Sequence, residues 1–222
     1  MIWLVLALAA DPTDAGTAVR SHTAETLPAG EAVVRWPAGR SAVGLGDHTD
    51  AWLTPFDLTI GGPRVGVEHG GRLGATRWSL APSVGAKTTL KRASLRLETN
   101  GSWDVGVHQL SGQVAVDVRL LRQLVVDEEV SRELSFDRVQ AHVLGIWDTP
   151  HSRVKLRLPL ADQGHGLTWG TVSAAWTHTT GRVHMAAGLG MLVGRPFDRY
   201  TLGHYAWWFW VPYPEVDLAV RF

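Results

Sequence analysis

The chain has 222 residues, and its 21 Lys and Arg are balanced by 21 Asp and Glu, so no net field steers it toward nucleic acid or an acidic surface. It holds no cysteine, which excludes disulfides and thiolate metal sites and suits export through an oxidising compartment. A mean hydropathy of −0.01 argues against a helical membrane protein, which needs runs of about 20 apolar residues, while eleven Trp are a large excess.

Residues 1–10 (MIWLVLALAA) are apolar and end in small residues, with Ala7 and Ala9 in the A-x-A arrangement of a cleavage site, and read as the end of a signal peptide. Residues 11–30 are polar, carry Pro and Gly, and read as a linker without a core of its own. From residue 31 onward the chain is a series of alternating segments separated by turn signals. The predicted strands cover about 31–45, 51–60, 63–70, 74–84, 88–98, 102–110, 113–126, 135–147, 152–160, 167–178, 182–193 and 207–222. Segment 31–45 is one strand kinked at Pro37 or two short ones. The count is about twelve, with ten possible, because 31–45 and 63–70 are weak. Expected turns are Asp47-His48-Thr49-Asp50, Gly61-Gly62, Asn100-Gly101, Ser111-Gly112 and Thr179-Thr180-Gly181.

Successive strand residues point to opposite faces, and here one parity is apolar while the other is charged or small. Val154, Leu156, Leu158 and Leu160 alternate with Arg153, Lys155 and Arg157. Val183, Met185 and Leu189 oppose Arg182, His184 and small residues. Val105 and Val107 oppose Asp104 and His108, and Leu95 and Leu97 oppose Arg96 and Glu98. For 167–178 the parity is open, since Leu167 and Trp169 compete with Val172, Ala174 and Trp176. The last strand sets Trp208, Trp210, Pro212, Pro214, Val216, Leu218, Val220 and Phe222 on one face, beside a cluster of Trp207, Trp208, Phe209 and Trp210. Either a membrane barrel or a soluble barrel turned the other way alternates so. An Arg-rich, Lys-poor polar face shared with small residues suits an enclosed lumen. Aromatics near segment ends (Trp36, Trp52, Trp78, Trp103, Trp147, Trp169) suit an interfacial girdle.

The expected lumen set is Arg77, Arg96, Glu98, Asp104, Asp117, Arg119, Arg138, His142, Arg153, Lys155, Arg157, Arg182, His184, Asp217 and Arg221. The expected lipid-facing set is Val154, Leu156, Leu158, Val183, Met185, Leu189, Trp208, Trp210, Val216, Leu218, Val220 and Phe222. Read functionally, the basic run 153–157 favours anions in a narrow passage; read structurally, the charges form a salt-bridged plug. Ten histidines show no H-x-x-x-H or H-E-x-x-H spacing, so no metal site is expected, although His178 and His184 flank one hairpin. Ser152 beside His151 is a chance dipeptide, because strand neighbours face opposite ways. G-L-G at 44–46 and 188–190 opens no helix and cradles no phosphate, so no cofactor is expected. Loop 194–206 is the longest aromatic, polar connection and reads as a solvated loop.

The terminal Phe preceded by alternating hydrophobics resembles the C-terminal strand of bacterial outer-membrane β-barrels. Residues 25–69, with TLPAGEAVV, VGLGDHTDAWLTPFDL and GPRVGVEHG, resemble a group of uncharacterised exported Gram-negative proteins with a "TLPxG" stretch and a "YGLTDxLEL"-like hairpin, which are taken to be such barrels. The resemblance implies an all-β, antiparallel, up-and-down transmembrane barrel over 31–222, porin-like, in the outer membrane. Its partners would be outer-membrane lipid and the barrel-assembly machinery, met through the C-terminal strand. It brings no catalytic residues. The expected role is passive: a narrow channel for small, preferably anionic solutes, or a structural barrel. The alternatives are a soluble periplasmic barrel binding a hydrophobic ligand and an outer-membrane lipid hydrolase.

Overall fold

The computed structural model describes residues 24, 26–37, 39–57, 62–87, 92–106, 108–122, 134–164, 166–197 and 209–222. They form twelve antiparallel strands closed into one barrel. These are β1 (Ala32–Trp36), β2 (Ser41–Gly46), β3 (Thr49–Asp57), β4 (Gly62–Leu73), β5 (Thr76–Lys87) and β6 (Arg92–Val105). They continue with β7 (His108–Arg122), β8 (Leu134–Asp148), β9 (Ser152–Gly164), β10 (Gly166–Thr180), β11 (Val183–Phe197) and β12 (Phe209–Arg221). Each strand pairs with its neighbours in sequence, and β1 closes the ring on β12 through Val33↔Arg221 to Trp36↔Leu218. The expected up-and-down barrel and its count of twelve agree with this.

Two differences inside that count cancel. Segment 31–45 is two strands, β1 and β2, with Pro37 just beyond the end of β1. Segment 88–98, from Arg92 on, and segment 102–110, as far as Val105, are one strand, β6, while residues 108–110 join 113–122 in β7; residues 88–91 and 123–126 lie outside the described residues. Asn100-Gly101 and Ser111-Gly112 are not turns, because both dipeptides lie paired in mid-strand, Asn100↔Gln113 and Ser102↔Ser111. The hairpin is made instead at Gly106, whose φ of 62° is one that L side chains rarely adopt. Asn100 is held in the strand by inward hydrogen bonds to Glu68 and Ser79, and Gly101 lies against the Trp103 ring.

The short connections (Asp47-His48, Gly74-Ala75, 149–151, Gly181-Arg182) gather at one end together with the first residue of β1 and the last of β12. On the outer face, Val84, Leu95, Val116, Leu156, Val172 and Val216 are each about half exposed. Trp78, Trp103, Trp147 and Trp176 stand outward near the short-turn end, and three of them contact a His ring: Trp78 with His69, Trp147 with His108, and Trp176 stacked on His178. Trp210 is outward at the other end. The inner face holds the charge: Arg35, Asp50, Arg64, Glu68, Glu98, Asp117, Asp148, Arg153 and Asp217 are buried.

The end of the segment expected to be a linker has a place in this interior. Ala24 and Leu27 are 2 % exposed, and Leu27 packs on Val33, Ala42 and Ala219 inside the wall. Leu27 N–H donates to both Asp50 carboxylate oxygens (2.9 and 3.0 Å), and Ala24 N–H to Ser102 Oγ (2.9 Å). Gly44 and Gly70 leave room for it: a Cβ on Gly44 would collide with the carbonyls of Leu27 and Pro28. Residues 24 and 26–30 therefore form a strap across the lumen at the short-turn end.

Candidate functional site

The lumen side chains form two clusters, each built by long cations that lie across small residues of intervening strands. In the first, Arg64 on β4 crosses Ser83 on β5 and Ser94 on β6 to reach Asp117 on β7. Its Nε bonds Asp57 Oδ2 (2.5 Å) and its Nη2 bonds Asp117 Oδ2 (3.0 Å). Arg96 contacts the same two carboxylates (2.9 and 2.7 Å). Arg40, in the β1–β2 connection, turns inward over the Trp52 ring (3.8 Å) and bonds Glu68 (2.9 Å) and Glu98. Burial opposes its charge, but Glu98 and Glu68 outweigh that and hold the guanidinium above its ordinary range. Ser79, Asn100 and Gln113 complete the network around Glu68 and Glu98.

In the second cluster, Arg153 on β9 reaches Asp148 (Nε to Oδ1, 2.6 Å) and, across β10 and β11, Asp217 (3.3 Å). Ser173, Ala175, Ala186 and Gly188, all inward and small, leave the path open. Arg35 meets Asp217 from the other side (2.9 Å), and Lys155 pairs with Glu215 (2.6 Å). Arg153 Nη2 lies 3.0 Å from His184 Nε2; since Arg only donates, Nε2 accepts, and Nδ1–H donates to Thr179 Oγ1 (2.7 Å). Arg157 likewise donates to His142 Nδ1 (3.2 Å) and stacks on Trp169 (3.7 Å).

Most of the expected lumen residues do face inward. Arg96, Glu98, Asp117, Arg153, Lys155, Asp217, Arg157, His142 and His184 sit in these contacts, and Arg119 shares their inward parity on β7. Arg77 and Asp104 pair near the short-turn end, where Asp104 is exposed. Arg221 pairs with Glu31 at that same end. Arg182 does not line the lumen: it is exposed in the β10–β11 turn, one residue beyond the alternation that placed it inward. Arg138 stands in β8, but its side chain lies outside the described residues. Of the outward set, Val154, Leu156, Leu158, Met185, Leu189, Trp210, Val216, Leu218 and Phe222 are exposed on the outer face. Val183 and Val220, paired with each other, are intermediate, and Trp208 lies outside the described residues. The parity of β10 resolves with Val172, Ala174 and Trp176 outward and Trp169 inward. Trp52 and Trp169 are thus not girdle residues but platforms for Arg40 and Arg157.

Two of the three cations of the run 153–157 are paired by carboxylates from other strands, Arg153 by Asp148 and Asp217 and Lys155 by Glu215, while Arg157 is held by His142 and Trp169, so the run does not stand as a free basic ring. Sequence reasoning missed Arg35, Arg40, Asp57, Arg64, Glu68, Asp148 and Glu215. Glu215 shares the parity of Asp217, and Arg64 that of Glu68, which was the available signal; Arg40 lies in a connection and gave none. Ser152 Oγ contacts Thr149 Oγ1 (2.8 Å) in the β8–β9 turn. Among the described residues no cluster of His, Asp and Glu is arranged to hold a metal ion. No family model matches the sequence, and neither a curated protein nor a solved structure matches the chain.

Proposed function

We propose that the chain spans a membrane of the bacterial outer-membrane type, as a passive barrel whose lumen is closed at rest. The observation that carries this is the sense of the alternation: Val, Leu and Trp face out around the ring while buried Arg, Asp and Glu face in. A soluble monomer rarely exposes an apolar patch beyond a few hundred Å², and a lipocalin-like binder needs the opposite sense. Strands β4–β12 have 12 to 15 residues, against the 9–11 that a tilted strand needs to cross a bilayer. The outward Trp residues near the short-turn end suit an interfacial girdle. Outward Phe222, Leu218 and Val216 suit recognition by the barrel-assembly machinery. The two near-neutral clusters and the strap favour a narrow or sealed passage over a wide anion-selective pore.

The test is conductance of the refolded protein in a planar lipid bilayer under a salt gradient. Stable insertion with small, rare and weakly selective steps is expected. Large steps with anion preference would overturn the closed lumen, and a protein that stays monodisperse in detergent-free buffer would overturn the membrane reading.

A further inference from the structure

On the inner face of β9–β12 the strand register builds rows of side chains that change in kind along the barrel. Nearest the short turns they carry Arg153, Lys155, Glu215 and Asp217 over small residues, and Ser173, Ala175, Glu215 and Asp217 are buried. The next row is Arg157–Thr171–Leu192–Val211, one residue from each of four neighbouring strands. None of its members is buried, and Val211, although it shares the inward parity of Glu215 and Asp217, is 48 % exposed. An inward side chain that is also exposed faces open lumen, so the bore widens at this row, beyond the packed charges.

The row is apolar at one end and cationic at the other. Beside Leu192 and Val211, the Tyr213 ring lies across β11 at Gly190, where a Cβ would come within 2.2 Å of it. At the cationic end Arg157 lies over the Trp169 ring (3.7 Å) and donates to His142 Nδ1 (3.2 Å). Neither partner carries negative charge, since a ring nitrogen that accepts from a guanidinium is unprotonated. Arg35, Arg40, Arg64, Arg96, Arg153 and Lys155 each bond a carboxylate. Arg157 is the cation of the two clusters that, among the described residues, bonds none. One of its N–H groups goes to His142, and its Nε is buried with no partner. A guanidinium lying on an indole has its face covered and its edge free, and two N–H groups along that edge match a carboxylate.

We propose that this part of the lumen is a binding site for a small aromatic monocarboxylate, its carboxylate on the free Nη donors of Arg157 and its ring against Leu192, Val211 and Tyr213. From β10, where Trp169 carries the guanidinium, to β12 is two strand spacings, about 9.6 Å, which is room for one ring and its carboxylate. An inorganic anion would leave the apolar end of the row unused, and a neutral ligand would leave the guanidinium without a counter-charge. The packed charges and the strap lie on the short-turn side, so the ligand enters from the opposite end and the site binds without conducting. It faces the lumen, so it stands whether lipid or water bathes the outer wall.

The refolded full chain in non-ionic detergent is titrated with para-fluorobenzoate, and binding is read from the fluorine NMR line against protein-free micelles. One saturable site is expected. Arg157→Gln is expected to weaken it roughly tenfold, as the loss of a charge-assisted pair would. Arg182→Gln, in the exposed β10–β11 turn, is expected to leave it unchanged. Val211→Trp fills the apolar end, leaves the Arg157 contacts in place and is expected to abolish binding, and it carries the test should Arg157→Gln not fold. Acetate, which has the charge without the ring, and para-fluorobenzyl alcohol, which has the ring without the charge, are each expected to compete at least tenfold more weakly. Absence of a saturable site, equal affinity in Arg157→Gln or Val211→Trp, or equal competition by either analogue would overturn the proposal.

Discussion

Gly44→Ala tests whether the strap seals the lumen. A Cβ at position 44 would lie 2.8 Å from the Leu27 carbonyl oxygen and closer still to that of Pro28, both of them strap atoms. No part of the barrel wall is among its three nearest neighbours, so the clash acts on the strap and spares the wall. Overpacking of this kind costs about 1–3 kcal/mol, and a coupling of that size shifts a two-state population roughly 5- to 150-fold. What opposes release is the burial of Leu27, its N–H on the Asp50 carboxylate and the Ala24 N–H on Ser102. What favours release is the regained freedom of the residues that the strap fixes, about 1–2 kcal/mol each. Docking is a small difference between these, so one methyl group is enough to tip it. The chain has no cysteine, and Ser111→Cys, on β7 beside the Ser102 that receives the Ala24 N–H, gives a single buried reporter. Alkylation of Cys-bearing protein in vesicles by a charged, water-soluble maleimide is expected to rise at least fivefold with Gly44→Ala. Unchanged labelling in a correctly folded Gly44→Ala barrel would refute the reasoning, because the strap would then not be what keeps water from Ser111.

Further substitutions probe the clusters and the outer wall. Arg153→Met leaves Asp148 and Asp217 buried without one of their partners and is expected to cost about 3–5 kcal/mol in urea unfolding. Adding Asp148→Asn is expected to recover a good part of it, since Asp217 keeps Arg35, and a purely additive pair would contradict the coupling. Leu156→Arg places a charge on the outer face in the middle of the wall and is expected to destabilise the barrel in lipid by about 2–4 kcal/mol. If that variant folded as well as the parent and became more soluble without detergent, water rather than lipid would bathe the wall.

The fold was legible because the side-chain period of a strand is 2 and the faces here differ in kind. The alternation in 152–160 and 182–193 placed Arg153, Lys155, His184, Leu156 and Met185 correctly without any knowledge of their neighbours. The boundaries between β6 and β7 were not legible. Asn100-Gly101 has the chemistry of a tight turn, and only its inward bonds to Glu68 and Ser79, 32 and 21 residues away on other strands, show why it stays extended. Charge balance was illegible for the same reason. Nothing local connects Lys155 to Glu215 or Arg153 to Asp217, so two cations that look unpaired along one strand are paired across four. The strap was hidden by its composition: one Leu among polar, Pro- and Gly-bearing residues reads as linker until Asp50 and Gly44 are seen beneath it.

The use of arginine follows from the width of the lumen. Small barrels of about eight strands are filled by side chains alone, and a twelve-strand ring is wider, so side chains projecting from opposite walls do not meet by default. This interior closes sideways instead: small residues on neighbouring strands form channels along the wall, and long cations lie down in them. Arg64 makes this plain, since one guanidinium bonds Asp57, Ser83, Ser94 and Asp117 from four different strands. The planar fork of five donors serves all four at once, where a lysine ammonium would offer three donors from one point. Each such arginine ties strands that are not adjacent, so it stiffens the ring as it narrows the bore. Closure of the bore is therefore a consequence of where the sequence puts its arginines and its small residues.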